Sequence, residues 1–138
     1  MEVSFNISGP MRGKQRPRAT RQGRIYTPKE TVNAEAYIKY LASEAMGTME
    51  PFTGALKATF AIYVEIPKSF TKAKRKAALE GTEHPTTKPD LDNIVKLLAD
   101  AMNGIVYKDD KQIVSICVSK KYAEHASAHV YVGEINEH

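Results

Sequence analysis

Apolar and polar residues alternate along four stretches of the chain, which is the spacing of half-buried β-strands. These stretches are residues 3–7, 56–66, 113–121 and 127–134. Only a short turn at Glu124 and His125 separates the last two. We therefore expect these two strands to pair as an antiparallel hairpin.

Three other stretches carry the start and stop signals of α-helices. They run from a capping box at residues 27–30 to about residue 46, from 72 to 80, and from about 91 to 102. Thr71 is the expected cap of the second helix, and Gly81 closes it. The predicted apolar faces are Ala34, Tyr37, Ile38, Leu41 and Ala45 in the first helix and Leu91, Ile94, Val95, Leu98 and Met102 in the third.

The order of these elements, strand, helix, strand, two helices and two strands, predicts an α+β fold. We expect two layers, in which a mixed β-sheet of about four strands packs with about three helices. A length of 138 residues fits one domain, residues 1–138. With 42% hydrophobic and 26% charged residues, the composition excludes a disordered chain and a disulfide-stapled miniprotein.

Three features of the sequence bear on the cellular compartment. No apolar run approaches the ~18–20 residues that span a bilayer, so we expect no membrane partner. Glu2 and Asn6 interrupt the N-terminal apolar pattern, so no secretion leader is expected. Cys117 is the one cysteine and cannot form an intrachain disulfide. Together these features favour the cytoplasm.

Positive charge is concentrated in the predicted loop of residues 10–27. The stretch from Arg12 to Lys29 holds seven basic residues and no acidic one. A solvated charge run needs no partner, but this density fits contacts with nucleic-acid phosphates better than solubility alone. The basic helix at 72–80 is a second contact candidate. The candidate contact residues are Arg12, Lys14, Arg16, Arg18, Arg21, Arg24, Lys72, Lys74, Arg75 and Lys76.

All five aspartates lie within residues 90–110. Asp90 and Asp92 stand where a proline-containing loop enters the third helix, and Asp109 and Asp110 come just before the next strand. Because a short connection joins that helix to that strand, these carboxylates can meet in space. Such a cluster needs a cation to offset its repulsion, and hard oxygen ligands select Mg²⁺, with Mn²⁺ as a possible substitute.

An Asp-bound magnesium ion beside a lysine and a basic surface suits the cleavage of phosphodiester bonds. Lys96, four residues after Asp92, would add positive charge for the transition state. Each residue also has an ordinary structural interpretation. Asp90 and Asp92 are favoured at a helix N-terminus, Asp92 and Lys96 form a common exposed pair, and Asp109-Asp110 fit a plain turn. Asp100 is expected to hold Lys96 or to cap a hydrogen-bond network rather than to bind a metal ion.

The acidic segment, residues 88–114, resembles the RusA-type Holliday junction resolvases. The shared signature is Asp90-Leu91-Asp92-Asn93, Lys96 four residues after Asp92, and Asp109-Asp110-Lys111-Gln112 before a strand. The resemblance implies a small α+β homodimer that binds four-way DNA junctions and makes paired symmetric nicks with Mg²⁺. It places the essential metal-binding acids at Asp90, Asp92 and Asp110 and the catalytic lysine at Lys96, and it leaves Asp109 unassigned.

A dimer also follows from the geometry of the reaction, because two nicks related by a two-fold axis require two active sites. The leading hypothesis is therefore a Mg²⁺-dependent endonuclease that resolves four-way junctions in DNA recombination and repair. Two alternatives stay open at this point. One is a non-catalytic module that binds branched nucleic acid, and the other is a nuclease that acts on flaps, forks or RNA hybrids.

Overall fold

The computed structural model describes residues 1–11, 13, 18–26 and 29–135. The strands are β1 (Glu2–Ser8), β2 (Arg18–Ala19), β3 (Ile25–Tyr26), β4 (Leu56–Glu65), β5 (Ile113–Ala123) and β6 (Ser127–Glu134). The helices are α1 (Lys29–Met46), α2 (Lys72–Glu80) and α3 (Leu91–Met102), and a 3-10 turn spans Asp110–Gln112. The four-stranded sheet and the three helices confirm the predicted α+β class.

The main sheet has the strand order β1-β6-β4-β5. Strand β6 pairs antiparallel with both β1 and β4, whereas β5 pairs parallel with β4. The sheet is mixed, as predicted. The predicted hairpin between residues 113–121 and 127–134 is wrong, because the chain crosses the end of β4 between β5 and β6.

The burial of the two strands agrees with this order. Ala128, Val130 and Val132 of β6 are at most 1% exposed, which suits a strand with neighbours on both edges. In β5, Val114 and Ile116 are 65% and 41% exposed, which suits an edge strand. A short turn shows only that the chain reverses its direction. It does not determine which strand becomes the hydrogen-bonding partner.

Helices α1 and α3 pack against each other on one side of the sheet, α1 beside β1 and α3 beside β5. The buried stripe of α1 is centred on Ile38, Ala42 and Met46. Most of the predicted face is confirmed, since Ile38 lies in the core and Ala34, Leu41 and Ala45 pack against it. Tyr37 is the exception, because it is 43% exposed. The predicted face of α3 is confirmed, with Ile94, Leu98 and Met102 in the core and Leu91 and Val95 packed against it.

The caps of α2 follow the sequence signals. The backbone N–H of Lys74 donates to the Thr71 hydroxyl at 3.2 Å. Gly81 closes the helix with a φ of 86°, in the left-handed region that favours glycine. The predicted capping box of α1 includes residues 27 and 28, which lie outside the described residues. Among the residues described, no helix is long and apolar enough to cross a membrane.

The described part of the predicted basic loop forms a small two-stranded sheet, in which β2 pairs antiparallel with β3. A turn joins the strands, and in it the Arg24 backbone N–H donates to the Thr20 hydroxyl at 3.1 Å. Gly23 has a φ of 80°, as such a turn requires. Arg21 and Arg24 are exposed at this turn.

Candidate active site

Helix α3 carries the first two candidate carboxylates at its N-terminal end. Asp90 occupies the N-cap position with extended backbone, but its side chain makes no capping hydrogen bond. Asp92 lies in the first turn, and both side chains are exposed. A helix N-terminus favours negative charge. Asp90 therefore occupies the position of a capping residue but does not make the capping bond. Its carboxylate is accessible to a ligand.

Lys96 and Asp100 continue the same side of α3, one and two turns after Asp92. Lys96 is exposed and Asp100 is half-buried. The described part of the chain contains no salt bridge between Asp92 and Lys96. The interpretation of these two residues as an ordinary exposed ion pair therefore does not hold in this structure. Both Lys96 and Asp100 line a pocket of about 320 Å³ between α3 and the start of β5.

Asp110 lines the same pocket, and the negative charge of Asp100 acts on it. The remaining lining residues are Val95, Ala99, Ile113 and Ile116, so the charged groups share the pocket with apolar side chains. A bound ligand would therefore meet charged and apolar side chains in the same pocket.

Gln112 fixes the turn that carries Asp109 and Asp110. Its side-chain oxygen accepts hydrogen bonds from the backbone N–H groups of Lys108 and Asp109, each at 3.0 Å. Its Nε2 donates to the carbonyls of Phe52 and Gly54 at 2.9 and 3.1 Å. One side chain thus ties the turn to the segment before β4.

The two neighbouring aspartates have different roles in this turn. The Asp109 carboxylate accepts the Lys111 backbone N–H at 2.9 Å and completes a capping box with Gln112. The backbone hydrogen bond lowers the pKa of Asp109, and a hydrogen bond from Asp110 contributes in the same direction. Asp109 is therefore a structural cap of this turn. The family resemblance had assigned it no role.

Asp110 shows the opposite perturbation. Burial is the first cause that raises its pKa, followed by the hydrogen bond to Asp109 and the negative charges of Asp109 and Asp100. A hydrogen bond with Asn103 offsets part of this increase. The Asp110 carboxylate thus carries repulsion that a cation would relieve.

Tyr107 anchors the connection between α3 and β5. Its ring is fully buried, and its hydroxyl donates to the Ala99 carbonyl at 2.6 Å. Burial raises the pKa of Tyr107, and the negative charge of Asp110 adds to this increase. The hydroxyl therefore stays protonated, and it holds the turn against the C-terminal half of α3.

The structure brings Asp110, Lys96 and Asp100 together, while Asp90 and Asp92 lie at the far end of α3. Asp92 and Asp100 are separated by eight helical residues, a rise of about 12 Å. Among the residues that the structure describes, no group of three or more His, Cys, Asp or Glu side chains is arranged to hold a metal ion. The metal site predicted at Asp90, Asp92 and Asp110 therefore stays a prediction.

The structure describes only some of the residues that are candidates for DNA contact. Arg12, Lys14 and Arg16 lie outside the described residues, and Arg18 falls in β2. In α2, Lys72, Lys74 and Lys76 are exposed and Arg75 is half-buried. Two of these cations already have partners. Lys74 lies 3.7 Å from Glu83 and 4.4 Å above the Phe70 ring, and Lys76 lies 3.9 Å from Glu80.

Sequence reasoning did not identify three residues that shape this region. Gln112 holds the aspartate turn, Lys120 of β5 bonds the segment before Asp90, and Gly13 packs against α3. A Cβ atom added to Gly13 would lie 2.6 Å from the Asn93 Cβ. Gln112 was visible as part of the family signature. The contacts of Lys120 and Gly13 span distant parts of the chain and leave no local pattern.

Two comparisons with known proteins bear on this arrangement. The sequence model of a family described as endodeoxyribonuclease RusA matches residues 8–133. The chain is also similar to the uncharacterized protein YqaN of Bacillus subtilis (strain 168), with 34% identity over 139 residues. That alignment covers 97% of each protein.

Proposed function

Because the chain belongs to the RusA endodeoxyribonuclease family, we propose that it resolves four-way DNA junctions by paired symmetric nicks in a Mg²⁺-dependent reaction. One observation carries this proposal beyond the family assignment. Asp92 and Lys96 lie on one exposed side of α3, and Lys96 and Asp110 line the same open pocket. Accessible carboxylates near an ammonium group that has no salt-bridge partner among the described residues suit hydrolysis of a phosphodiester bond.

The residues that would hold the metal ion are Asp90, Asp92 and Asp110. Carboxylate oxygens are the donors that Mg²⁺ and Mn²⁺ prefer. Burial raises the pKa of Asp110, and the negative charges of Asp109 and Asp100 add to this increase, which a bound cation would offset. When bound, the ion would supply a nucleophilic water near neutral pH and offset the charge of the attacked phosphate.

The protein's own groups then have separable tasks. The Lys96 ammonium would stabilise the negative charge that develops on the phosphate or the leaving oxygen. Asp109 and Gln112 would hold Asp110 in place through the capping box.

Phosphate contacts would come from the two basic regions. Arg21 and Arg24 at the β2–β3 turn are exposed and belong to the stretch without acidic residues. Lys72 and Arg75 of α2 are the candidates there, because Lys74 and Lys76 already have acidic partners. Such contacts position a DNA backbone without reading its sequence. Two copies related by a two-fold axis would provide the two sites that paired nicks require.

The proposal is tested with an end-labelled synthetic four-way junction, incubated with the purified protein with and without Mg²⁺. A linear duplex of matched sequence and the Asp92→Asn variant serve as controls. We expect symmetric paired nicks on the junction alone, which disappear without metal and in the variant. Tight junction binding without nicks under Mg²⁺ or Mn²⁺ would instead favour a non-catalytic binding module.

The choice of branched substrate is tested in the same assay with flaps, forks and RNA hybrids. The comparison is made at moderate salt, because unspecific phosphate contacts weaken steeply as the salt concentration rises. Preferential cleavage of the four-way junction supports resolution as the activity. Equal or faster cleavage of a flap or fork would assign the nuclease to that substrate.

A further inference from the structure

Lys120 lies on the side of the sheet that the helices cover. It pairs with Ile62 of β4, whose side chain is 1% exposed, so both residues lie on the face that α1 and α3 cover. Lys120 is itself only half-buried. A cation in this environment needs hydrogen-bond acceptors near its ammonium group.

The acceptors are two backbone carbonyls of the segment that enters α3. The Lys120 Nζ donates to the Thr87 carbonyl at 2.7 Å and to the Pro89 carbonyl at 3.0 Å. Pro89 directly precedes Asp90. The ammonium group therefore ties edge strand β5 to the residue before the first candidate carboxylate, and these two acceptors occupy it within the protein.

The segment at residues 85–90 has no helix or strand to hold it. Asp90 makes no side-chain capping bond, so the place of its carboxylate depends on the backbone that precedes it. The first helical hydrogen bond runs from the Ile94 N–H to the Asp90 carbonyl at 3.1 Å. A shift of the Pro89 carbonyl would therefore move both Asp90 and Asp92.

We propose that Lys120 is a positioning residue, whose ammonium group holds residues 87–89 and thereby sets the Asp90 and Asp92 carboxylates relative to Lys96. The inference rests on the proposed nuclease function for its effect on catalysis. Lys120 does not touch the reacting atoms, and its hydrogen bonds to protein carbonyls distinguish it from the exposed cations proposed to contact phosphate. Its neighbour Lys121 is exposed and provides a matched control with the same charge.

The first test compares Lys120→Met with Lys121→Met. Misplacement of catalytic groups by about 1 Å can reduce a rate by about 10²-fold. We expect Lys120→Met to lower the single-turnover rate of junction cleavage by about 10- to 100-fold at saturating protein, with the junction Kd within about threefold of wild type. Lys121→Met should change the rate by less than about twofold. Equal effects of the two variants, or a loss of affinity alone, would overturn the proposal.

A chemical rescue distinguishes the loss of the ammonium group from a folding defect. Lys120→Cys is made in a Cys117→Ser background, alkylated with bromoethylamine in denaturant and refolded. The product carries an ammonium group at nearly the position of the lysine ammonium. We expect cleavage within about threefold of the Cys117→Ser protein treated in the same way. Alkylation with iodoacetamide adds no cation and should not restore the rate. If both products fold and cleave equally, the proposal is wrong.

Hydrogen exchange separates this inference from the proposed function, because it needs neither DNA nor metal. We expect faster amide exchange at residues 88–94 in Lys120→Met, while peptides from β4 exchange as in wild type. If the wild-type protein nicks no branched DNA but exchange rises in this way, the proposed function fails and the positioning contact stands. Unchanged exchange at residues 88–94 would overturn the positioning role whatever the activity.

Discussion

The two ends of α3 both carry neighbouring acidic residues, but the protein holds them in different ways. At the N-terminal end, Asp90 and Asp92 are exposed, and Asp90 makes no capping bond. At the C-terminal end, Asp109 completes a capping box and Asp110 lies half-buried beside it with a raised pKa. The N-terminal carboxylates therefore contribute little to the fold, whereas the C-terminal pair combines one structural group with one that the fold disfavours when charged. This difference indicates which acids are free to serve the reaction.

The largest effect is expected from Asp92→Asn. If Asp92 serves the reaction and not the fold, the variant should lose junction cleavage by on the order of 10³-fold. Its free energy of unfolding should stay within about 0.5 kcal/mol of wild type, since surface changes of this kind have small effects. Junction affinity should be equal or higher, because a repulsion toward phosphate is removed. Single-turnover cleavage, urea unfolding and a binding titration measure the three quantities. Cleavage at the wild-type rate would remove Asp92 from the site.

The C-terminal end responds differently when its support is removed by Gln112→Ala. Four hydrogen bonds are lost, each worth about 0.5–1.5 kcal/mol, so we expect the protein to be destabilised by about 2–6 kcal/mol in urea unfolding. Cleavage should fall as well, because Asp110 loses its fixed turn. Lys111→Ala, an exposed change in the same turn, serves as the control and should cost much less. A similar cost for the two variants would mean that Gln112 does not hold this turn.

The N-terminal end depends on close packing at Gly13. A methyl group added there meets the Asn93 Cβ at 2.6 Å, so we expect Gly13→Ala to cost about 1–3 kcal/mol of unfolding free energy. Gly54→Ala is the control, since its new Cβ meets only the end of the Glu134 side chain, at 3.1 Å. In an Asn93→Gly background, which removes the opposing Cβ, the cost of Gly13→Ala should largely disappear. Persistence of the full cost would place the clash elsewhere.

The smallest expected effect is on the pH dependence of stability, to which Asp109 and Asp110 contribute with opposite signs. Stability is measured as the Tm in EDTA. A lowered pKa means that Asp109 stabilises the fold above its unfolded pKa and loses this contribution as the pH falls through its folded value. A raised pKa means that ionised Asp110 destabilises the fold, and that this penalty disappears as the pH falls toward 3.8. At pH 7 we therefore expect Asp109→Asn to lower the Tm and Asp110→Asn to raise it, each by roughly 1–3 °C. Shifts of the same sign would contradict the assigned causes.

Local signals predicted most of the elements. Thr71 and Gly81 mark the ends of α2, and the apolar spacing of α3 placed Ile94 and Leu98 in the core. Pairing of β5 and β6 was predicted wrongly, because a turn between two strands carries no information about a third strand that separates them. On α1, Tyr37 alone was wrongly placed in the buried face, because this amphipathic residue counts as apolar in a periodicity although it is 43% exposed.

The candidate site likewise combines features that local sequence predicts with features that depend on tertiary packing. The acidic residues and Lys96 were identified from their spacing and from the family signature. The opposite perturbations of Asp109 and Asp110 depend on which of two adjacent carboxylates reaches a backbone N–H, and spacing does not determine that choice. The bonds from Lys120 to the Thr87 and Pro89 carbonyls join residues more than thirty positions apart. Such contacts arise only when the sheet and α3 are packed together.

Metal binding by both ends of α3 is the central claim, and Mn²⁺ affinity tests it most directly. Affinity is measured by electron paramagnetic resonance for wild type, Asp92→Asn, Asp110→Asn and the double variant. If the two ends hold one ion, each single variant should weaken binding by about tenfold or more, and the double variant should lose little beyond the weaker single one. Wild-type affinity in Asp110→Asn would contradict the claim and confine any metal site to the N-terminal end.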